Sequence, residues 1–201
     1  MPFPEFFDAA PRIALRDPLA GLLGAAADGV IEYAYTDVVK LAGHSCPTVA
    51  SAYLMTRAAL GALYQDALPE RGGIRIDLRD DRLEGATGVI ANVASFLTGA
   101  THDTGFKGIG GHFDRRNLLF FGVDSPGQIR YTRVDTAATV TVSARLDRVP
   151  ADPRMVPLLQ RCLAGSATAD ETTRFQSLWQ GRVRTLLVDH ADDPDVVVVR
   201  H

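Results

Sequence analysis

Residues 117–146 read NLLFFGVDSPGQIRYTRVDTAATVTVSARL and contain three consecutive segments with the composition of β-strands. The predicted strands run from Asn117 to Val123, from Gln128 to Arg133 and from Thr136 to Leu146. Ser125-Pro126-Gly127 separates the first two, with Pro and Gly in the order that a type II turn prefers. Strands that follow one another in this way indicate an antiparallel sheet.

The segments around this stretch are mostly helical in pattern. Apolar residues recur at helical spacing from Pro47 to the Pro69 stop, and again from Val89 to Leu97. Gly99 follows the second helix, where a left-handed residue is wanted. Further elements are expected as helices over Met155 to Leu163 and after the capping box of Thr168 and Glu171, and as short strands over Ile74 to Leu78 and Val196 to Val199.

The N-terminal residues 1–35 are predicted to form an arm. Leu15, Leu19, Leu22 and Leu23 suggest a short helix within it, and Asp37 to Leu41 fits one further helical turn. Residues 36–201 then form a single domain. The predicted fold is α+β, with an antiparallel or mixed sheet packed against helices.

Composition limits the classes of function. The chain has 201 residues, 46% of them hydrophobic and 22% charged, and a formal net charge of -3, which argues against nucleic acid as a partner. No apolar stretch approaches the roughly 20 residues of a membrane helix. Glu5 and Asp8 lie where a secretory signal would be basic, so the protein is predicted to be cytoplasmic. With only Cys46 and Cys162, neither a disulfide framework nor a four-cysteine zinc site is expected.

The segment Gly43-His44-Ser45-Cys46-Pro47 is the first candidate for a functional site. Pro47 suits the first position of a helix and pushes Cys46 towards an extended conformation at the N-cap. A helix N-terminus stabilises an anion and therefore favours the thiolate. Residues two apart in an extended stretch point to the same side, so His44 and Cys46 can face one point. The alternative is an ordinary turn in which His44 caps a backbone group and Cys46 packs as a small apolar residue.

Several blocks together resemble a known family. They are Asp37-x-x-x-Leu41-x-Gly43-His44-x-Cys46-Pro47, the small-residue helix that follows, Thr98-Gly99-x-Thr101, a glycine-containing loop and the aromatic strand Asn117 to Phe121. In order and spacing they resemble the FmdE family of formylmethanofuran dehydrogenase components over about residues 36–187. The resemblance implies an α+β metal-binding protein, often a homodimer, found beside molybdenum or tungsten enzymes, with His44 and Cys46 lining a cleft.

The chain also departs from the family pattern. Thr48 stands where a glycine commonly follows Cys-Pro. Cysteines that are usual near the second helix and in the Thr-Gly-x-Thr block are replaced by Gly88, or its neighbour Thr87, and by Ala100. The family's C-terminal zinc module has no counterpart. These differences argue against a cysteine-rich redox function and favour a divergent member with its own ligand set.

The loop from Thr101 to His112 supplies further candidate residues. Zinc favours four ligands, and a catalytic site keeps one position for water. His44 and Cys46 with either His102 or His112 would meet that requirement, and the choice between the two histidines stays open. Asp103 could accept a proton or orient an imidazole, and Lys107 could bind an anionic substrate group. The alternatives are solvent-facing loop histidines, a turn aspartate and a solvated lysine.

Three functional hypotheses follow. The first is a zinc-type metal-binding protein, either catalytic or ancillary to a molybdenum or tungsten enzyme, whose ion lies in a cleft under the glycine loop. The second is a metal-free thiol enzyme with Cys46 as nucleophile and His44 as base. The third is a binding module that holds a cofactor, a small-molecule ligand or a partner's peptide. Cys162 and Trp179 are expected to be packing residues, Trp179 in the core or at a dimer contact.

Overall fold

The computed structural model of the protein describes residues 3–201. Over that range the chain forms six α-helices and seven strands. The strands are β1 (Ile13–Arg16), β2 (Val30–Tyr33), β3 (Ile74–Leu78), β4 (Leu119–Phe120), β5 (Ile129–Arg133), β6 (Thr139–Ala144) and β7 (Val197–Arg200). The helices are α1 (Pro18–Leu22), α2 (Tyr35–Ala42), α3 (Pro47–Tyr64), α4 (Thr87–Thr98), α5 (Met155–Leu163) and α6 (Ala169–Arg184).

The strands form two sheets. The larger has the order β4-β3-β5-β6-β7, and the smaller is the antiparallel hairpin of β1 and β2. In the larger sheet β3 and β4 are parallel, whereas the other neighbours are antiparallel. The predicted α+β class, with a mixed sheet packed against helices, is therefore confirmed.

Two strands of the larger sheet, β4 and β6, are shorter than predicted. β4 covers only Leu119–Phe120 because positive φ angles at Asn117 (56°) and Gly122 (65°) turn the backbone on either side of it. β6 begins at Thr139 instead of residue 136, after a turn in which Ala137 has φ 58°. The bounds of β3 agree with the prediction, and β7 joins the sheet edge as expected.

The helix boundaries follow their local signals closely. Pro47 is the first residue of α3, and α4 ends at Gly99, which is left-handed with φ 77°. The capping box of Thr168 and Glu171 is formed at the start of α6. α2 is longer than the single turn predicted, because the Asp37 carboxylate accepts the backbone N–H of Ala34 and lets the helix begin there.

The N-terminal residues differ from the prediction of a helix around the four leucines. Leu15 lies in β1 and is fully buried, and only Pro18–Leu22 is helical. Asp17 separates the strand from the helix and caps the helix with its side chain. The four leucines therefore do not belong to one helix, because Leu15 lies in a strand and the helix that follows is a single turn.

The core is built around α3. This helix lies against β6 and β7 and also contacts α4, so most of its surface is buried. Its small residues permit this close packing. No helix within residues 3–201 has the length and apolar character needed to cross a membrane.

One buried polar contact joins α3 to the sheet. Thr56 Oγ1 donates to the carbonyl of Ala52 at 2.8 Å, so the Tyr131 hydroxyl, 2.9 Å away, donates to Thr56. Burial raises the pKa of Tyr131, which keeps the phenol protonated. This contact fixes the position of the helix over β5.

Replacing Tyr131 by Phe should lower the free energy of unfolding by about 1 kcal/mol, because the buried Thr56 oxygen loses its donor. Urea denaturation measures the difference. Tyr33→Phe is the matched control, since the Tyr33 hydroxyl makes no hydrogen bond within residues 3–201, and it should change stability much less. Equal losses in the two variants would contradict the role given to the Tyr131–Thr56 contact.

Candidate functional site

The turn at residues 43–47 has the local geometry that its sequence predicts. Gly43 ends α2 in the left-handed region (φ 74°), and its N–H reaches the carbonyl of Val39. Cys46 is extended (φ -149°, ψ 167°), and Pro47 opens α3. The N-cap position predicted for Cys46 is confirmed.

Cys46 is held by the first turn of α3. Its Sγ accepts the backbone N–H of Val49 at 3.5 Å, and the residue is 9% exposed. Both Cys46 and Cys162 are free thiols. The sulfur of Cys46 therefore lies at the positive end of an 18-residue helix, where negative charge is stabilised.

His44 is exposed and has a defined orientation. Its Nδ1 lies 3.0 Å from the carbonyl oxygen of Ala42. Because a carbonyl oxygen only accepts, Nδ1 must carry the proton of the neutral ring, which leaves Nε2 with a free lone pair. A histidine that ligates a metal is commonly oriented in this way.

The residue between these two donors is fixed from three sides. The Ser45 hydroxyl lies 3.0 Å from the Tyr35 hydroxyl, and its carbonyl accepts from Trp179 Nε1 at 2.9 Å and from Gln180 Nε2 at 3.2 Å. Burial raises the pKa of Tyr35, so its hydroxyl stays neutral. Trp179 was expected only as a packing residue, whereas its indole N–H holds the turn.

His102 forms a local pair with Asp103. Its Nδ1 lies 2.9 Å from Asp103 Oδ1, and its ring lies near those of Phe120 and Phe121. The hydrogen bond from His102 holds the pKa of Asp103 below its usual value. This geometry suits a carboxylate that orients an imidazole better than one that accepts a proton near neutral pH.

His112 and Lys107 are exposed on the glycine loop. The backbone of His112 pairs with Ile109 in both directions, which closes a tight turn over Gly110-Gly111. His112 lines a cavity together with Arg71 and Arg115. Lys107 makes no hydrogen bond or ion pair within residues 3–201.

The predicted zinc ligands are not gathered at one point. Among residues 3–201 there is no group of three or more His, Cys, Asp and Glu side chains that could hold a metal ion. Neither His102 nor His112 therefore completes a set with His44 and Cys46. The turn supplies a cysteine and a histidine, residue types that bind zinc, but not the four donors of a closed site.

A second polar centre, not anticipated from the sequence, lies at the start of α1. The Asp17 carboxylate accepts from Arg115 Nη2 at 2.7 Å, from Arg71 Nη1 at 3.0 Å and from the N–H groups of Leu19 and Ala20. Burial alone would raise the pKa of Asp17, but the hydrogen bond from Arg71 and the charge of Arg115 outweigh it and hold that pKa below its usual value. We call Asp17, Arg71 and Arg115 the arginine cluster.

Glycines make room for the two guanidinium groups. A Cβ at Gly72 would collide with the guanidinium of Arg115, and a Cβ at Gly99 would lie 2.9 Å from Arg115 Nη1. Thr101 binds the carbonyl of Arg115 through both its N–H and its hydroxyl. The Thr98-Gly99-x-Thr101 block therefore supports the arginine cluster.

One residue of the arginine cluster could be identified from its neighbours in the sequence. Asp17-Pro18 is a typical helix start, which would identify Asp17 as a cap. No such sequence pattern identifies Arg71 and Arg115, because their partner Asp17 is 54 and 98 positions away from them. Composition and spacing cannot identify an ion pair over that separation.

Comparison with known proteins gives no independent identification. The sequence matches no protein-family model and no curated protein. The resemblance to the FmdE family therefore stays a prediction from the sequence.

Asp17→Asn should lower the free energy of unfolding by about 3 kcal/mol, because the buried guanidinium of Arg115 and the partly buried one of Arg71 lose their counter-charge. The lowered pKa means that wild-type Asp17 stabilises the fold above about pH 4, the unfolded value, and that this contribution falls as pH drops through the folded value. Urea denaturation from pH 3 to 7 should show the gap between the two proteins closing in acid.

Asp77→Asn is the control for this experiment. Asp77 is also buried between two arginines, but the side chains of Arg75 and Arg130 are 45% and 29% exposed, against 7% for Arg115. Water can solvate the guanidinium groups of Arg75 and Arg130, so Asp77→Asn should lower the free energy of unfolding less than Asp17→Asn does. A stability gap for Asp17→Asn that does not change with pH would contradict the assignment.

Proposed function

We propose that the protein binds a zinc-type transition metal through Cys46 and His44. The hydrogen bonds that prepare the two donors carry this proposal: Val49 N–H on the sulfur of Cys46, and His44 Nδ1 on the carbonyl of Ala42. They place a sulfur where negative charge is stabilised and leave an imidazole nitrogen free to ligate. The resemblance to the FmdE family supports the same two residues.

The remaining coordination positions of the metal must be filled by ligands other than these two side chains. Two protein donors leave an ion open to water, to a small ligand or to the same two donors of a second copy. A second copy would agree with the homodimer that the resemblance implies. The ratio of metal to chain distinguishes these arrangements, since a shared ion gives one metal for two chains.

The proposed setting is a reducing compartment, the cytoplasm. Both cysteines are free, and thiols persist as such where glutathione and thioredoxin keep them reduced. A role beside a molybdenum or tungsten enzyme is the one that the resemblance suggests. It would need only a bound ion and an accessible face at the turn, where His44 is exposed.

Metal analysis tests this proposal. Wild-type protein purified without chelator should contain zinc at one or one half equivalent per chain, and Cys46→Ser should contain almost none. Serine is a favoured N-cap residue, so this variant should keep α3 intact. Cobalt substitution should give a thiolate-to-cobalt charge-transfer band that is lost in Cys46→Ser.

Three variants serve as controls. Cys162→Ser should keep its metal, because Cys162 lies in α5 beside Thr172. His102→Gln and His112→Gln should also keep it, since these rings are not gathered with Cys46. His44→Gln should weaken zinc binding at least tenfold, of the order seen when ligand shells are disturbed. Metal-free wild type, or unchanged metal in Cys46→Ser, would contradict the proposal.

A metal-free thiol enzyme is the second candidate, because the cap that favours a metal thiolate also favours a nucleophile. That mechanism requires His44 to take the thiol proton. Among residues 3–201 no hydrogen bond joins His44 to Cys46, and the bonded ring nitrogen faces Ala42. The free Nε2 of His44 could ligate a metal or accept this proton, so experiment must separate the two candidates.

Alkylation kinetics distinguish the two candidates. In metal-free protein, Cys162 should react with iodoacetamide before Cys46, because Cys162 is partly exposed and Cys46 is buried at the helix start. Mass spectrometry of peptides from a time course measures both rates. Reaction of Cys46 faster than a model thiol, with a dependence on His44, would favour the thiol enzyme instead.

A further inference from the structure

A cavity of about 350 Å³ lies beside the arginine cluster. Its wall includes Arg71, Gly72 and Arg115 on one side and His112 and Phe113, from the glycine loop, on another. The cavity is distinct from the turn of His44 and Cys46, neither of which lines it. Any ligand here is therefore independent of the proposed metal site.

The cluster has more donor capacity than its partners use. Asp17 occupies Nη2 of Arg115 and Nη1 of Arg71, and the carbonyl of Phe96 accepts from Arg71 Nη2. Arg115 Nη1 and Arg71 Nε are buried and find no acceptor within residues 3–201. Buried donors without partners are costly and rare in folded proteins.

Access to this surplus charge comes through Arg71. Its side chain is 22% exposed, whereas that of Arg115 is 7% exposed. Both residues line the cavity, so a ligand there would lie beside the partly exposed Arg71 and close to the charge of Arg115. The absence of a Cβ at Gly72, which also lines the cavity, leaves room for the guanidinium of Arg115.

The charges around the cavity indicate a ligand with one negative charge. Two guanidinium groups and the Asp17 carboxylate leave the cluster with one uncompensated positive charge. Asp114 in the wall is neutralised by Arg116 at 2.7 Å, but Glu70 at the rim is exposed. Glu70 would repel a second negative charge.

We propose that this cavity binds a small organic carboxylate through Arg71 and Arg115. The planar guanidinium of arginine matches a carboxylate in shape and charge. Phe113, which also lines the cavity, is an apolar residue that suits the carbon part of such a ligand. Binding would place a negative charge beside the uncompensated positive charge of the cluster.

Isothermal titration with acetate, benzoate and inorganic phosphate, at constant ionic strength and pH 7.5, tests the proposal. Acetate should bind saturably with a Kd of roughly 1–10 mM, as expected for a ligand of four heavy atoms. Phosphate, mostly a dianion at this pH, should bind more weakly. Arg71→Gln should lose at least about tenfold in affinity for acetate, because it removes a charged donor.

Two further variants complete the test. Glu70→Gln should bind acetate about threefold more tightly, because it removes a repelling charge from an exposed position. Arg79→Gln, which loses a charge paired with Asp80 outside the cavity, should bind like wild type. No saturable acetate binding by wild type, tighter binding of phosphate, or wild-type affinity in Arg71→Gln would each overturn the proposal. If Arg71→Gln does not fold, the wild-type and Glu70→Gln titrations decide.

Discussion

The carboxylate of Asp17 is the interaction on which the arrangement of this fold depends most. It joins the β1–α1 junction to Arg71, which precedes β3 and also binds the last turn of α4, and to Arg115 at the end of the glycine loop. Burying the Arg115 guanidinium without a counter-charge would be very costly. The fold therefore needs the N-terminal segment that carries Asp17, because this carboxylate balances the charge of the buried Arg115.

The same constraint gives the Thr98-Gly99-Ala100-Thr101 block a structural meaning. Gly99 ends α4 in a left-handed conformation and leaves space for both guanidinium groups. Thr101 donates to the carbonyl of Arg115 through its N–H and its hydroxyl, and Ala100 is fully buried. In the family that the chain resembles, this block commonly carries a cysteine. Here Gly99 leaves space for the guanidinium groups, and the Thr101 hydroxyl holds the backbone of Arg115.

Features that depend on a few adjacent residues could be predicted from the sequence. Pro47, Gly99 and the pair Thr168 and Glu171 each fix a helix end through local backbone chemistry. The predicted length of β4 was too great because its apolar residues extend beyond the positive φ angle at Gly122. The arginine cluster could not be predicted, since pairing over 98 positions depends on the assembled fold.

The turn of His44 and Cys46 shows how a locally predictable feature acquires its precision from distant residues. Proline and glycine set its backbone, yet the carbonyl of Ser45 is held by Trp179 and Gln180, 134 and 135 positions later. Donors fixed by several contacts lose little entropy when a ligand binds. Helix α6 therefore contributes to the candidate site, because it holds Ser45, the residue between His44 and Cys46, in place.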